Sequence, residues 1–218
     1  MLRADSIELS FNGFKILQDI YLDCKPAEIV GLLGRNGCGK SSLLKVIFGT
    51  LNPSFKHISI DEKVTSKGYQ NNLIAYMPQH NYLPDAVSLF KLAKMMVAPP
   101  AWNEFAEYPI FKKYSQSKAS ELSGGELRQI ETLMLLHSRA SYILLDEPFT
   151  QLSPIQVQEF KPIIQKCARK KGIIITDHLY SNILEISDRI IFLDQGCTKH
   201  IKSTEELITY GYINKIIT

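Results

Sequence analysis

Four short apolar runs punctuate the chain, each closing on polar residues: "EIVGLLG" (28–34), "LIAYMPQ" (73–79), "SYILLDE" (141–147) and "GIIITDH" (172–178). Continuous runs of Ile, Leu and Val, too short for helices and bounded by turn or helix signals, predict central strands of a parallel sheet buried on both faces. In an open α/β sheet ligands sit outside the carboxyl ends of the strands, so Gln79, Asp146, Glu147 and His178 are expected to converge on one edge. The opening "IELSFNGFKILQDIYLDC" (7–24) and "KHISIDEKV" (56–64) alternate instead, which predicts a smaller antiparallel sheet beside the main one. Between Gln79 and Leu122 the character changes. Helical spacing at Leu89, Leu92 and Met96 gives way to a Pro-Pro break and an aromatic-rich segment, so residues 81–121 read as a small helical insertion. Its Met95, Met96, Trp102 and Phe105 are expected in a core rather than on a docking surface. Ser153 followed by Pro154 makes a good helix start, and Pro162 predicts a kink or break in that helix.

Length and composition then narrow the class. At 218 residues with 45% hydrophobic content, the chain suits one globular domain spanning 1–218. There is no run of about 18 apolar residues and no charged-then-apolar leader at "MLRADSIELS", so any membrane role is expected through a partner. Cys24, Cys38, Cys167 and Cys197 lie far apart without C-x-x-C spacing, which argues against a zinc site or a disulfide framework and for a reducing cytosol. A net charge of +3 is too small to argue for nucleic acid. The densest basic run, "KCARKK" (166–171), reads as the solvated end of a helix before Gly172.

The candidate chemistry begins at "GRNGCGKSS", Gly34 to Ser42, which fits G-x-x-x-x-G-K-[ST] with Gly34, Gly39, Lys40 and Ser41 in register. Glycines let successive backbone N–H groups turn inward as an anion nest, and the following helix, "KSSLLKVIFG", aims its positive end at the same place. Gly34, Arg35, Asn36, Gly37, Cys38, Gly39, Lys40, Ser41 and Ser42 therefore form the expected nucleotide-binding loop. Lys40 would reach the outer phosphates and the Ser41 hydroxyl would ligate the Mg²⁺ that accompanies a nucleoside triphosphate. Further on, "LSGGELRQIETLMLLH" (122–137) opens a helix on serine and two glycines, with Glu126 in its first turn: a second anion-binding start.

With its "LSGGE" lying between a phosphate loop and a strand that ends in Asp-Glu, the chain resembles the ATP-binding cassette (ABC) ATPases over nearly its whole length. The resemblance implies an α/β P-loop NTPase fold with a mostly parallel central sheet, a smaller antiparallel β subdomain and a short helical insertion. It implies ATP and Mg²⁺ as ligands, and a head-to-tail pair in which Ser123, Gly124 and Gly125 of one subunit close over the ATP held by the other. Phe11 sits where the family stacks an aromatic on adenine, with Phe14 the alternative. Gln79 corresponds to the glutamine that senses metal and water and couples them to the insertion. Asp146 would complete the Mg²⁺ shell with Ser41 and Gln79, Glu147 would be the general base, and His178 would donate to the γ-phosphate. Lys40, Gln79, Glu147 and His178 are thus the expected catalytic set. A single cassette without a membrane segment most resembles the ATP-hydrolysing subunit of a transporter whose permease is a separate polypeptide, held at the cytoplasmic face of a membrane through that partner. A homodimer is the simpler expectation. The alternative is a soluble ABC ATPase acting on nucleic acid, ribosomes or cluster assembly, in which case no permease would co-purify. An intact Glu147 speaks against a non-hydrolytic regulator, and a P-loop kinase has no use for "LSGGE".

Several positions depart from the family pattern. Ala27 stands where a glycine is common and is expected to alter only a turn. Arg35 replaces a frequent proline or serine and adds a cation near the nucleotide. Thr150, Gln151, Leu152 and Ser153 stand for the usual Ser-Ala-Leu-Asp, so the coupling between the two sites lacks its aspartate, and the insertion is short. Cys38, a thiol inside an anion nest beside Lys40, is expected to have a lowered pKa and raised reactivity.

Overall fold

The computed structural model describes residues 1–213; the last five residues of the expected domain, 214–218, lie outside the described residues. The alternating stretches become β1 (Leu2–Phe11), β2 (Phe14–Cys24), β4 (Phe55–Ile60) and the two-residue β5 (Lys63–Val64). They form an antiparallel sheet in the order β2-β1-β4-β5. The four apolar runs become β3 (Ile29–Leu33), β6 (Ile74–Met77), β7 (Tyr142–Asp146) and β8 (Gly172–Thr176). With β9 (Arg189–Asp194) and β10 (Cys197–Ile201) they complete a six-stranded sheet in the order β10-β9-β3-β8-β7-β6, parallel except for β10.

Every residue of β3, β7 and β8 is buried, because both faces of the main sheet are covered. Successive side chains point to opposite faces, so each strand feeds two cores. Val30, Leu32, Leu144 and Ile174 pack with α1 (Lys40–Phe48) and the antiparallel sheet. Ile29, Leu33, Ile143, Leu145, Ile173 and Ile175 pack on the other side. There they meet α5 (Gly124–Leu136), α6 (Pro154–Ala168) and α7 (Tyr180–Ile186). A short α8 (Thr204–Thr209) follows the sheet.

Between β6 and α5 lie α2 (Leu89–Met96), α3 (Trp102–Ala106) and α4 (Pro109–Tyr114), with a 3₁₀ turn at Pro99–Ala101 where the two prolines stand. Leu89, Leu92, Ala93 and Phe105 are buried there and Met96 and Trp102 half-buried, but Met95 is 82% exposed, which corrects its assignment to the core. Its position falls off the stripe 89, 92, 93, 96 that faces inward.

Two other expectations change. Pro162 does not interrupt α6, which runs on for six residues beyond it. Pro162 and Gln158, whose carbonyl it deprives of a donor, are both exposed, so water can replace the missing bond. The 166–171 run is only partly solvated: the Lys171 ammonium donates to the carbonyls of Ser138 and Ala140 at 2.6 and 2.5 Å, and Lys166 pairs with Glu104 at 2.7 Å. Ser153 caps α6 through a reciprocal box with Gln156, so the helix start survives without the aspartate. Ala27 does keep the turn, at a left-handed φ of 58° where a Cβ is disfavoured.

Candidate functional site

The parallel strands deliver their polar ends to one edge. The loop after β3 winds through Gly37 (φ 77°) and Gly39 (φ 108°), left-handed conformations that only glycine adopts cheaply, and so enters α1. Over it opens a cleft of about 500 Å³ lined by Phe11, Asn36, Gly37, Gly39, Lys40, Ser41 and Ser42 from the amino-terminal half. Gln79, Glu147 and His178 line it from the ends of β6, β7 and β8, joined by Ile16, which the sequence reading did not single out. Phe11 is 46% exposed, so its ring is free to stack, whereas Phe14, 75% exposed, does not line the cleft.

Lys40 is buried and its ammonium donates to the carbonyls of Gly34 and Arg35 at 2.8 and 3.1 Å, which bends it back over its own loop. Beneath it the Ser41 hydroxyl donates to Asp146 Oδ1 at 3.1 Å, and the Tyr76 hydroxyl donates to Oδ2 at 3.0 Å. Burial pushes the Asp146 carboxyl pKa up, against those two hydrogen bonds, so a cation placed here would offset its desolvation. Hydroxyl and carboxylate oxygens are also the hard donors that Mg²⁺ takes, and the donor set fits that ion.

Glu147 is buried and left-handed at φ 56°, a strained backbone of the kind held at functional sites. Gln79 Nε2 donates to its Oε2 at 2.8 Å, and His178 Nε2 lies 2.7 Å from the same oxygen. On its other side the His178 ring meets Asn36 Oδ1 at 3.2 Å, so one chain of contacts runs from the phosphate loop to the carboxylate.

Not every expected residue comes into this cleft. Arg35 and Cys38 line a neighbouring cavity of about 730 Å³ instead, and the Arg35 guanidinium donates to the Gly211 carbonyl at 2.9 Å. Burial outweighs Lys40 at the Cys38 thiol and raises its pKa; the expected lowering is corrected, because the nest's charge acts on a group already taken from water. Ser123, Gly124 and Gly125 line neither cavity. Ser123 caps α5, its hydroxyl donating to Glu126 Oε2 at 2.7 Å, and Tyr114 of α4 donates to the other oxygen of that carboxylate. These bonds, Tyr114's first, pull the Glu126 pKa down to about 2.

Arg128 was missed from sequence and ties the site together. Fully buried, it donates to the carbonyls of Pro78, Asp146 and Glu147 at 2.7, 2.7 and 2.9 Å. Its neighbour Glu131, also buried and 3.6 Å away, accepts from the backbone of Tyr82 and Leu83 at 2.7 and 3.2 Å. About one turn of α5 thus fixes both the segment carrying Gln79 and the one carrying Glu147. The signal in the sequence was an Arg and a Glu three apart among the apolar positions Leu127, Ile130, Leu133 and Met134 of one helix.

Comparison with known proteins points to one family. Residues 17–150 match the family model described as "ABC transporter". The lipopolysaccharide export system ATP-binding protein LptB of Acidithiobacillus ferridurans is 29% identical over 239 residues, covering 99% of this chain and 95% of that protein. The sulfate/thiosulfate import ATP-binding protein CysA of Bacillus cereus is 26% identical over 222 residues, covering 94% of this chain and 62% of that protein. A solved structure of an ATP-binding subunit of an ABC transporter superposes with a TM-score of 0.83 at 20% identity, covering 97% of this chain and 94% of that one, which shows the shared fold. Among the described residues no helix is long and apolar enough to cross a membrane.

Proposed function

Because this chain belongs to the ABC transporter family as an ATP-binding, ATP-hydrolysing subunit, we propose that two copies close head to tail around two ATP molecules, each completing the other's site. The observation that carries the reading is a separation. Phe11, Lys40, Ser41, Gln79, Glu147 and His178 share one cleft, while Ser123, Gly124 and Gly125 open α5 outside it. A second anion-binding helix start that cannot serve its own cleft is suited to a neighbour's.

In this reading Phe11 stacks on the adenine, and the backbone N–H groups of residues 34–42 with Lys40 hold the phosphates. Ser41, Asp146 and Gln79 would hold Mg²⁺, which when bound neutralises charge on the phosphate oxygens. Glu147 takes the proton of the attacking water, its Oε2 held by Gln79 and oriented by His178. His178 turns towards the terminal phosphate, with Asn36 beside its ring. The chain acts as one ATPase domain in which residues 81–121 form a helical subdomain. The output is opening and closing of a homodimer, which drives a separate permease at the cytoplasmic face of a membrane, as in the export and import systems for which its relatives are named.

The test is Glu147→Gln. Turnover should fall at least about a hundredfold while fluorescent-nucleotide binding persists, because the carboxylate serves proton transfer rather than affinity. Sedimentation with saturating MgATP should show a dimer; a monomer under those conditions overturns the pairing.

A further inference from the structure

Tyr76 stands on β6 beside Leu144 of β7, and in a parallel pair such neighbours share a face of the sheet. Asp146, two residues beyond Leu144, points to that face as well, so a long side chain leaning along the strand direction reaches its carboxylate. Tyr76 does so, its hydroxyl donating to Asp146 Oδ2 at 3.0 Å. The ring is half-buried against the core shared with α1, its centroid 5.4 Å from that of Phe48, which lies in turn 5.6 Å from Tyr69. Packing, then, fixes where the hydroxyl sits.

Asp146 is consequently held at three atoms. Arg128 donates to its carbonyl at 2.7 Å, Ser41 to Oδ1 at 3.1 Å and Tyr76 to Oδ2. The two carboxylate oxygens are thereby made unequal. Oδ1 meets the hydroxyl in the first turn of α1, while Oδ2 is tied back towards β6 by a phenol. A cation beside Ser41 would find one oxygen presented and the other engaged. That suits Mg²⁺, which takes near-octahedral ligands at about 2.0–2.1 Å, better than Ca²⁺, which takes more oxygens at about 2.3–2.6 Å and accepts a carboxylate by both.

We propose that Tyr76 is a specificity-determining residue for the divalent cation: by tying back Oδ2 it makes Asp146 a one-oxygen ligand and selects Mg²⁺ over Ca²⁺ beside the nucleotide. The inference rests on the placing of Mg²⁺ at Ser41 and Asp146 proposed above, and adds to it a reason for the choice of ion. Tyr76→Phe keeps the ring against Phe48 and removes only the hydroxyl, so Oδ2 is released to a larger cation.

The experiment measures the affinity of a fluorescent, non-hydrolysable ATP analogue for wild type and Tyr76→Phe in Mg²⁺, in Ca²⁺ and in EDTA. Wild type should bind the analogue at least about tenfold more tightly with Mg²⁺ than with Ca²⁺, and Tyr76→Phe should narrow that preference about tenfold, the size ordinarily lost with an outer partner of a metal ligand. Affinities in EDTA should agree within about twofold, since no metal ligand is then at stake, and so report an intact cleft. In hydrolysis assays Ca²⁺ should compete with Mg²⁺ at about tenfold lower concentration in Tyr76→Phe than in wild type. An unchanged preference in Tyr76→Phe overturns the proposal, and so does a loss of affinity that is equal in all three conditions, which would make the hydroxyl a prop of the cleft. Wild-type binding strengthened equally by both cations overturns the selection while leaving the metal site in place. Wild-type binding indifferent to either cation would instead defeat the placing of Mg²⁺ at Ser41 and Asp146, and the proposal with it.

Discussion

The phosphate-loop end and the α5 end are both built to hold an anion, and they are finished to different degrees. At the first, Ser41 donates to Asp146, while Gln79 and His178 both meet Glu147 and Asn36 stands against the His178 ring, around a cleft that Lys40 also lines. At the second, the Ser123 hydroxyl is taken up by Glu126, which Tyr114 steadies from the insertion, and these residues stand outside the nucleotide cleft. The contrast teaches that order alone does not make a site. One end gathers its polar side chains around a cleft; the other is a helix start held by its own carboxylate, and only in the paired reading proposed above does it meet a nucleotide.

Arg128 offers the largest way to break that comparison, since it serves both ends. Arg128→Ala would leave three carbonyls without their donor and strand Glu131 in the interior, costing about 3–5 kcal/mol, read as a lowered urea midpoint with loss of turnover. A variant as stable as the wild type would mean that the two ends are independent. Tyr114→Phe is the sharper probe. It removes one hydrogen bond to Glu126, so stability should fall by about 1 kcal/mol and pairing should weaken, while nucleotide binding to the isolated cleft stays unchanged. Smallest is a pH effect confined to the insertion side. Burial lowers the pKa of His137, which packs on Phe105 and Tyr108 at the end of α5. The unfolded chain then binds the proton more readily, so stability should be full above the ordinary histidine pKa of about 6.5 and decline as pH drops below it. His137→Phe should flatten that decline in a melting series, because it removes the titrating imidazole while the Leu133 carbonyl still receives the backbone N–H of residue 137.

The central strands were legible because each is a continuous apolar run, and their carboxyl-end residues followed from parallel pairing. β9 and β10 were not assigned: "RIIFLD" follows its preceding helix closely, and "CTKHI" is a half-polar edge strand without strong alternation. The phosphate loop could be read as far as local spacing reaches. Cys38 could not, since Lys40 lies two positions away in the chain, whereas the burial that overrides it comes from distant segments. Arg128 was hidden for the same reason: its acceptors lie 50, 18 and 19 positions away. Met95 and Pro162 turned on which side of a helix faces water, which their residue types do not disclose.

The strand that leads into the phosphate loop has no sheet partner close to it in the chain. Ile29 stands beside Ile173, and Val30 beside Arg189. During synthesis, then, β3 leaves the ribosome well before either flank exists, at translation rates of about 5–20 residues per second. The nascent polypeptide must keep an apolar, unzipped segment out of trouble for several seconds, and its capacity to grip nucleotide arrives only once β8 and β9 have been made rather than with the loop's own emergence.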